Sequence, residues 1–168
     1  MELTSLNDVF AEQVADLRSA ENQLIEALPK MASAASDSEL RNAFEQHLEE
    51  TRGHAERIEQ VIGQFGGQVP DEECKAMKGL IEEGQDIIDS DGDPVARDTA
   101  LIAAAQRVEH YEIAAYGTAR TLAQQLEMRD AASLLEQTLE EERKADGLLN
   151  KIATGGTLGT GLNEKAAS

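Results

Sequence analysis

Tryptophan is absent from this chain of 168 residues, and phenylalanine and tyrosine together number only five. An aromatic core is thereby excluded, and Leu, Ile, Val, Met and Ala must fill the interior. Proline occurs three times. That scarcity, set against plentiful Ala, Leu, Glu and Gln, favours helix over strand. The single cysteine, Cys74, leaves no partner for an internal disulfide, so a reducing compartment is expected. No stretch approaches the roughly 18 apolar residues of a membrane span. The start, MELTSLNDVF, has no basic segment followed by an apolar run, so no signal peptide is expected and the cytoplasm is the expected location. Basic residues are also few: 15 against 33 acidic ones, a formal charge of -18. Such a field repels phosphate backbones and anionic lipid head groups, which argues against nucleic acid and membrane as partners. It favours solubility and attracts cations.

What remains is enough for one all-α domain with a sizeable core. The apolar spacing predicts a first long helix over about residues 6–34, with Leu17, Leu24, Leu28 and Met31 on one stripe. Thr4, Ser5 or Asn7 can cap it, and Pro29 is expected to kink it or loosen its last turns. A polar turn, AASDSE, precedes a second long helix that starts at Ser38 as N-cap, runs to about Phe65 and stops at Gly66-Gly67. A shorter helical pattern occupies residues 71–90. Asp89, Asp91 and Asp93 have the spacing of a calcium loop, but Ala100 stands where that loop needs its twelfth-position Glu, so a turn is the reading. The third and fourth long helices span about residues 95–126 and 130–153. The Gly- and Thr-rich tail, 154–168, is expected to be flexible and dispensable.

The phrase FEQHLEETR at residues 44–52 returns as LEQTLEEER at 135–143, with six of nine positions identical. The same offset of 91 places Glu21 on Glu112 and Glu50 on Glu141. The two halves therefore read as two helical hairpins joined by a long crossover that contains the short helix, the ferritin-like four-helix arrangement. At about 100° per residue, Glu21 falls on the apolar stripe of the first helix. Glu112 falls in the middle of the most apolar face in the chain. Glu50 and Glu141 lie toward the edges of their faces. Glu142 is nearer the centre of its face than Glu141, although the repeat favours Glu141, and the choice stays open. Carboxylates gathered inside a bundle repel one another and resist ionisation, and divalent iron or manganese removes both problems. His54, one turn after Glu50, can bind the same ion, with His47 as an outer partner. Glu109, three residues before Glu112, can face the site with it. The candidate metal ligands are Glu21, Glu50, His54, Glu109, Glu112, Glu141 and Glu142. His110 points elsewhere, and Tyr111 and Tyr116 are core residues that can also donate hydrogen bonds or electrons.

The segments HLEET (47–51), GLIEE (79–83), DTALIAAAQRVEHYEIAAYGT (98–118) and TLEEE (138–142) carry a resemblance to the YciE/YciF-like group of ferritin-like bacterial stress proteins. It spans about residues 3–152. The resemblance implies a ferritin-like bundle, a homodimer, a stress-linked role without an established reaction, and a di-iron centre like that of rubrerythrins, where one helix carries Glu-x-x-Glu as Glu109 and Glu112 do. The usual di-iron pattern has Glu-x-x-His on two helices. Here Gly53 and Lys144 occupy the +3 positions after Glu50 and Glu141, and Asp146 is a substitute oxygen donor.

Three functions compete. The first is a di-iron or di-manganese oxidoreductase that reduces peroxide or oxygen, or oxidises ferrous iron. The second is a non-enzymatic dimeric stress protein with a structural or vestigial metal site. The third, ranked last, is an iron-storage cage. The wide apolar face of the third long helix, with Ile81, Ile87 and Ile88, also leads to the expectation of a homodimer.

Overall fold

The structure, a computed structural model, describes residues 3–156 and 159–167. Every regular element among them is a helix: α1 (Leu6–Ala34), α2 (Ser38–Phe65), α3 (Lys75–Ile88), α4 (Pro94–Gln125), α5 (Arg129–Thr154) and α6 (Leu162–Ala166). Short turns make α1–α2 and α4–α5 antiparallel hairpins, and α2 also packs on α5 and α1 on α4. The long crossover, residues 66–93, carries α3 across α1 and α4. The chain is thus a bundle of four long helices built from two hairpins, as the repeat predicts.

The helix ends follow local chemistry. Ser5 caps α1 and forms a reciprocal capping box with Asp8. The hydrogen bonds from Thr4 and Ser5 hold the Asp8 carboxyl down at about 2. Pro29 sits inside α1 without ending it: Leu28 before it and Met31 and Ala32 beyond it are buried against the core. The cap of α2 is Asp37 rather than Ser38: its carboxylate accepts from the Glu39 and Leu40 amides. At Gly66 the chain takes φ 65°, the left-handed conformation that ends a helix and suits glycine. In the aspartate-rich turn, Asp93 caps α4 by accepting from the Val95 and Ala96 amides, and Pro94 fills the first helical turn, where its missing N–H costs nothing. Glu127 makes the α4–α5 turn with φ 60°, a conformation uncommon outside glycine.

Polar contacts fasten the hairpins to each other and to the crossover. Buried Asp98 of α4 accepts from the backbone amides of Ser36 and Asp37 at 2.9 and 2.7 Å, which fastens the α1–α2 turn. The crossover is held on α1 by Arg18, which donates to the Pro70 carbonyl at 2.7 Å, and by Ser19, whose hydroxyl accepts from the Cys74 amide at 2.8 Å. The buried Cys74 thiol lies 3.0 Å from the Tyr111 hydroxyl, which donates to Asp16.

The core falls into two apolar clusters. One contains Leu24, Leu28, Leu40, Phe44, Leu101 and Leu149; the other contains Phe10, Leu17, Ile58, Tyr116, Leu135 and Leu139. The broad apolar face of α4 is met within the chain, since α1, α3, α5 and α6 all pack on it, and Ile81, Ile87 and Ile88 rest half-buried against the first cluster. Only Leu3 and Leu6 are exposed large hydrophobic residues among those described. The covered surface therefore removes the packing argument for a dimer, which then stands on the family resemblance alone.

The tail also departs from expectation. Residues 157, 158 and 168 of that segment lie outside the described residues, as do residues 1 and 2 of the expected bundle domain. Beyond Gly155, which closes α5 with φ 76°, α6 turns back onto α4 and α5, and Leu162 is buried at 2% exposure in the first cluster. Leu162 escaped the periodicity argument because the run around it is mostly glycine and threonine, with Leu158 as its one large apolar neighbour at helical spacing. Leu162→Ala should lower the stability by about 2–3 kcal/mol, the usual loss for emptying a buried leucine site. Truncation after Ala153 should do at least as much. A truncated chain that melts with the parent in a calorimeter would show that α6 does not hold the bundle.

Candidate metal centre

Between the two apolar clusters the bundle carries a layer of buried ionisable groups. On α1, Glu21 lies between Leu17 of one cluster and Leu24 of the other; on α5, Glu142 lies between Leu139 and Leu149. On α2 the layer is entered by His47 and His54, seven residues or about two turns apart. On α4 it is entered by Glu109 and Glu112, one turn apart. Exposure is 0% for Glu21, His54, Glu112 and Glu142, 2% for Glu109 and 5% for His47. Each long helix thus turns at least one donor inward at the same height.

These side chains form two groups, each with ligand atoms within 4.8 Å of one another. One is His47, Glu109, Glu112 and Glu142; the other is Glu21, His54 and Glu142. Glu142 belongs to both. His54 Nδ1 lies 2.8 Å from Glu142 Oε1 and 3.6 Å from Glu21 Oε1, and His47 Nε2 lies 3.3 Å from Glu109 Oε1 and 3.7 Å from Glu142 Oε2. Yet Glu142 Oε1 and Oε2, both Glu112 oxygens, Glu21 Oε2, Glu109 Oε2, His54 Nδ1 and both His47 nitrogens have no hydrogen-bond partner. Buried polar atoms are normally satisfied, and one left unpaired costs about 1–3 kcal/mol. Close approach without hydrogen-bond alignment suits atoms that converge on a common cation. The charge fits as well. Four carboxylates and two neutral imidazoles balance two divalent cations, and this mixture of oxygen and imidazole donors suits iron or manganese.

Without metal, protons must provide the balance. Burial pushes the Glu21 carboxyl up, and burial together with the neighbouring Glu142, Glu21 and Glu109 pushes Glu112 well up. Glu109 is also driven well up by burial, against the pull of His47. Burial works against protonated His47 and His54, but the surrounding carboxylates win. Glu109 foremost, with Glu50, raises His47 to about 9, and Glu142 foremost, with Glu21, raises His54 to about 10. Burial raises Glu142, but the two histidines beside it bring its carboxyl below the ordinary range.

The expected ligands divide cleanly. Glu21, His54, Glu109, Glu112 and Glu142 come together; Glu50 and Glu141 join neither group. Both of the latter stand at the rim, with side chains 33% and 23% exposed. The repeat is nonetheless real there. Gln46 donates to Glu50 and Gln137 donates to Glu141, each four residues along its helix. Glu50 sits 3.6 Å from His47 Nδ1 and Glu141 sits 3.0 Å from His54 Nε2. The doubled phrase therefore supplies two rim carboxylates, each beside a histidine of the layer. The inner position next to Glu141 is Glu142 in one half and buried Thr51 in the other.

Two residues of consequence were given too little weight in the sequence. His47, placed there as an outer partner, stands inside the layer. Arg57, absent from the expected set, donates to both Glu141 oxygens at 2.6 and 3.1 Å and to the Thr138 hydroxyl at 2.7 Å. Its place three residues after His54 on the same helical face was the available signal. Tyr116, fully buried, donates to Glu21 and sets its ring edge toward His54, 6.3 Å between ring centres. His110 is exposed and lies 3.5 Å from Asp146, which also accepts from Gln106, so the substitute donor Asp146 is outside the layer. Lys144 is exposed above it.

The fold and site define a class: an all-helical bundle with a buried layer of carboxylates and imidazoles. The chain belongs to the family described as a domain of unknown function, DUF892, whose model matches residues 5–164. It is similar to protein YciF of Escherichia coli K12, 50% identical over 154 residues that cover 91% of this chain and 93% of YciF. The crystal structure of that E. coli stress protein superposes with a TM-score of 0.89 at 49% identity, covering 92% of this chain and 98% of the other. YcfI of Rhodopseudomonas palustris, put forward as a structural protein, gives 0.86 at 36% identity, with 90% and 97% covered. A Xanthomonas campestris protein, XCC3681, at 20% identity and 0.68 shares the fold, with 88% and 89% covered. No described helix is long and apolar enough to cross a membrane.

The protonated layer gives the metal-free protein a definite pH response. Glu21, Glu109, Glu112, His47 and His54 all hold protons more tightly folded than unfolded. Their stabilising contribution is full below the unfolded carboxyl and imidazole values, about 4.3 and 6.5. It is lost as pH rises, and the histidine share disappears by about 9 to 10. Metal-free protein should therefore melt at a higher temperature at pH 6 than at pH 9. Glu112→Gln, which needs no proton to stay neutral, should raise the melting temperature of the metal-free form. The gain should be larger at pH 9 than at pH 5. Equal shifts at both pH values would contradict a buried, protonated Glu112.

Proposed function

We propose that this protein is a ferritin-like dimetal carboxylate protein of the bacterial stress response, holding two iron or manganese ions in its buried layer. The observation that carries this reading is the pair of buried ligand groups sharing Glu142, with their oxygens and ring nitrogens unpartnered. Glu21, His54 and Glu142 would hold one ion; His47, Glu109, Glu112 and Glu142 would hold the other. A ferrous pair supplies two electrons, the number needed to reduce a peroxide, and the same ligand set suits oxidation of ferrous iron by oxygen or peroxide.

The chain's own residues perform the rest. The two apolar clusters close the layer at its two ends, and the low dielectric there strengthens the attraction between ligand and cation. Tyr116 holds Glu21 through Oε1 and leaves Oε2 free for an ion. On the outer side, Arg57 fixes Glu141, and Glu141 in turn orients the His54 ring through Nε2 so that Nδ1 faces inward. Glu50 stands beside the outer nitrogen of His47 in the same way. Cation binding must displace protons that the layer holds more tightly than the unfolded chain does, so affinity should rise with pH.

The second reading is a non-enzymatic stress protein, which the structural role put forward for YcfI favours. Protons alone would then keep the layer neutral, and metal would be dispensable. The homodimer belongs to either reading and is checked by the mass in light scattering. Anaerobic reconstitution separates the two. Two ferrous or manganous ions per chain should bind, release protons to a pH indicator and raise the melting temperature, more at pH 8 than at pH 6. Glu142→Gln, which weakens both ligand groups at once, should lose most of both ions. The ferrous form should be oxidised by peroxide with two electrons per chain. Stable protein that takes up no metal would settle the question for the non-enzymatic reading.

A further inference from the structure

Beside the metal layer, the bundle opens into a cavity between α2, α4 and α5, with a volume of about 150 Å³. Its composition changes with depth. The floor is His47 and Glu109, both more than nine-tenths buried. The walls are apolar: Ala43, Phe44 and Leu149 are buried, and Ala145 and Leu148 are partly covered. Gln46, Glu50 and Lys144 stand toward solvent. Small side chains make the space. Ala43 of α2 and Ala145 of α5 line it at positions where a larger residue would fill it.

Three features of the lining define a guest. A cavity of this volume holds a molecule of about six non-hydrogen atoms, the size of benzene. Hydrogen peroxide or dioxygen would leave most of it empty. The apolar walls favour a hydrocarbon body, and water between them would find few partners. At the floor both His47 nitrogens and Glu109 Oε2 lack hydrogen-bond partners, so the guest's head meets a donor and an acceptor side by side. An O–H group answers both, because it donates and accepts. The mouth carries one acid, Glu50, and one base, Lys144, so the entrance favours neither an anion nor a cation.

We propose that this cavity is a binding site for a small neutral organic molecule with an O–H head on the floor and a hydrocarbon body along the walls: an alcohol or an organic hydroperoxide of about six non-hydrogen atoms. That such a molecule is the substrate rests on the dimetal reading; that it binds here does not. The site lies against His47 and Glu109, so its guest's oxygen and the proposed ions meet at the same two residues.

The test uses tert-butanol on the metal-free, nitrogen-15-labelled full chain. Saturable shifts should appear at the amides of Ala145, Leu148 and Leu149. Pivalate and tert-butylamine, which carry the same tert-butyl body with a charged head, should bind at least tenfold more weakly. Ala145→Phe fills the cavity and should abolish the saturable shifts while it still binds manganese like the parent. If that variant loses its helical circular dichroism, Leu148→Phe and Ala43→Leu serve the same purpose from another wall. Shifts that stay linear with tert-butanol, or that persist in a folded cavity-filling variant, overturn the proposal. Equal binding of the charged analogues overturns the neutral O–H head. A parent chain that binds tert-butanol but no manganese sinks the dimetal reading and leaves the pocket standing.

Discussion

The structure turns on the free energy needed to keep four carboxyls and two imidazoles out of water in the middle of a helical bundle. An ion moved into such surroundings meets a penalty of several kcal/mol even after relaxation. Six such groups form one layer here, so each must be neutral or paired. That requirement explains the layout around them. The groups come from all four long helices, so no two adjacent residues of one helix carry the whole charge. Apolar clusters close the layer from both ends. Two histidines stand among the four carboxyls, and in the metal-free state they provide the cations.

The same requirement accounts for the rim. A histidine in such a layer has one nitrogen facing inward and one facing out, and the outer one needs a partner that fixes the ring. Glu50 and Glu141 fill that position, one on each hairpin, and Arg57 neutralises Glu141. Burial alone would raise Glu141, but the Arg57 guanidinium lowers it. The His47–Glu50 contact likewise lowers Glu50. Glu141 and Glu142 lie one residue apart, the first lowered by Arg57 at the rim and the second by the two histidines inside. The sequence EEE at 140–142 therefore contains three electrostatic environments, and residue type says nothing about which is which.

This is where the sequence could and could not be read. Helix periodicity predicts five of the helices with ends close to those observed, because α1, α2, α4 and α5 are long, side chains cap the first three of these, and Gly66 and Pro94 punctuate the chain. Glu21 and Glu112 were legible because each lies in mid-stripe and each is the other's counterpart in the repeat. The repeat then misled at Glu50 and Glu141. It reports equivalence between halves, and the equivalent positions turned out to be rim positions. A rotation of about 100° separates a rim residue from the next one along the helix, and only the phase of the whole face tells them apart. Glu142 had that signal. Arg57, Asp98 and Leu162 gave weaker ones: each matters through a partner far along the chain, in Glu141, in the Ser36–Asp37 turn and in the first apolar cluster.

A layer that is costly to bury must be held by contacts elsewhere, and those contacts are distributed with that effect. The Asp98 carboxylate fastens one hairpin's turn to the other hairpin, α3 is pinned to α1 through Ser19 and Arg18, and α6 closes the first apolar cluster with Leu162. All three lie away from the buried ionisable layer. Stability is therefore concentrated where no ligand or cation is handled, while the layer retains polar atoms that lack partners. A protein optimised for stability alone would fill such a layer with Leu and Ile, since replacing buried charges by well-packed apolar groups is often neutral or stabilising. Six ionisable groups there, with two rim carboxylates and an arginine to orient them, cost stability that the contacts at the turn, the crossover and α6 offset.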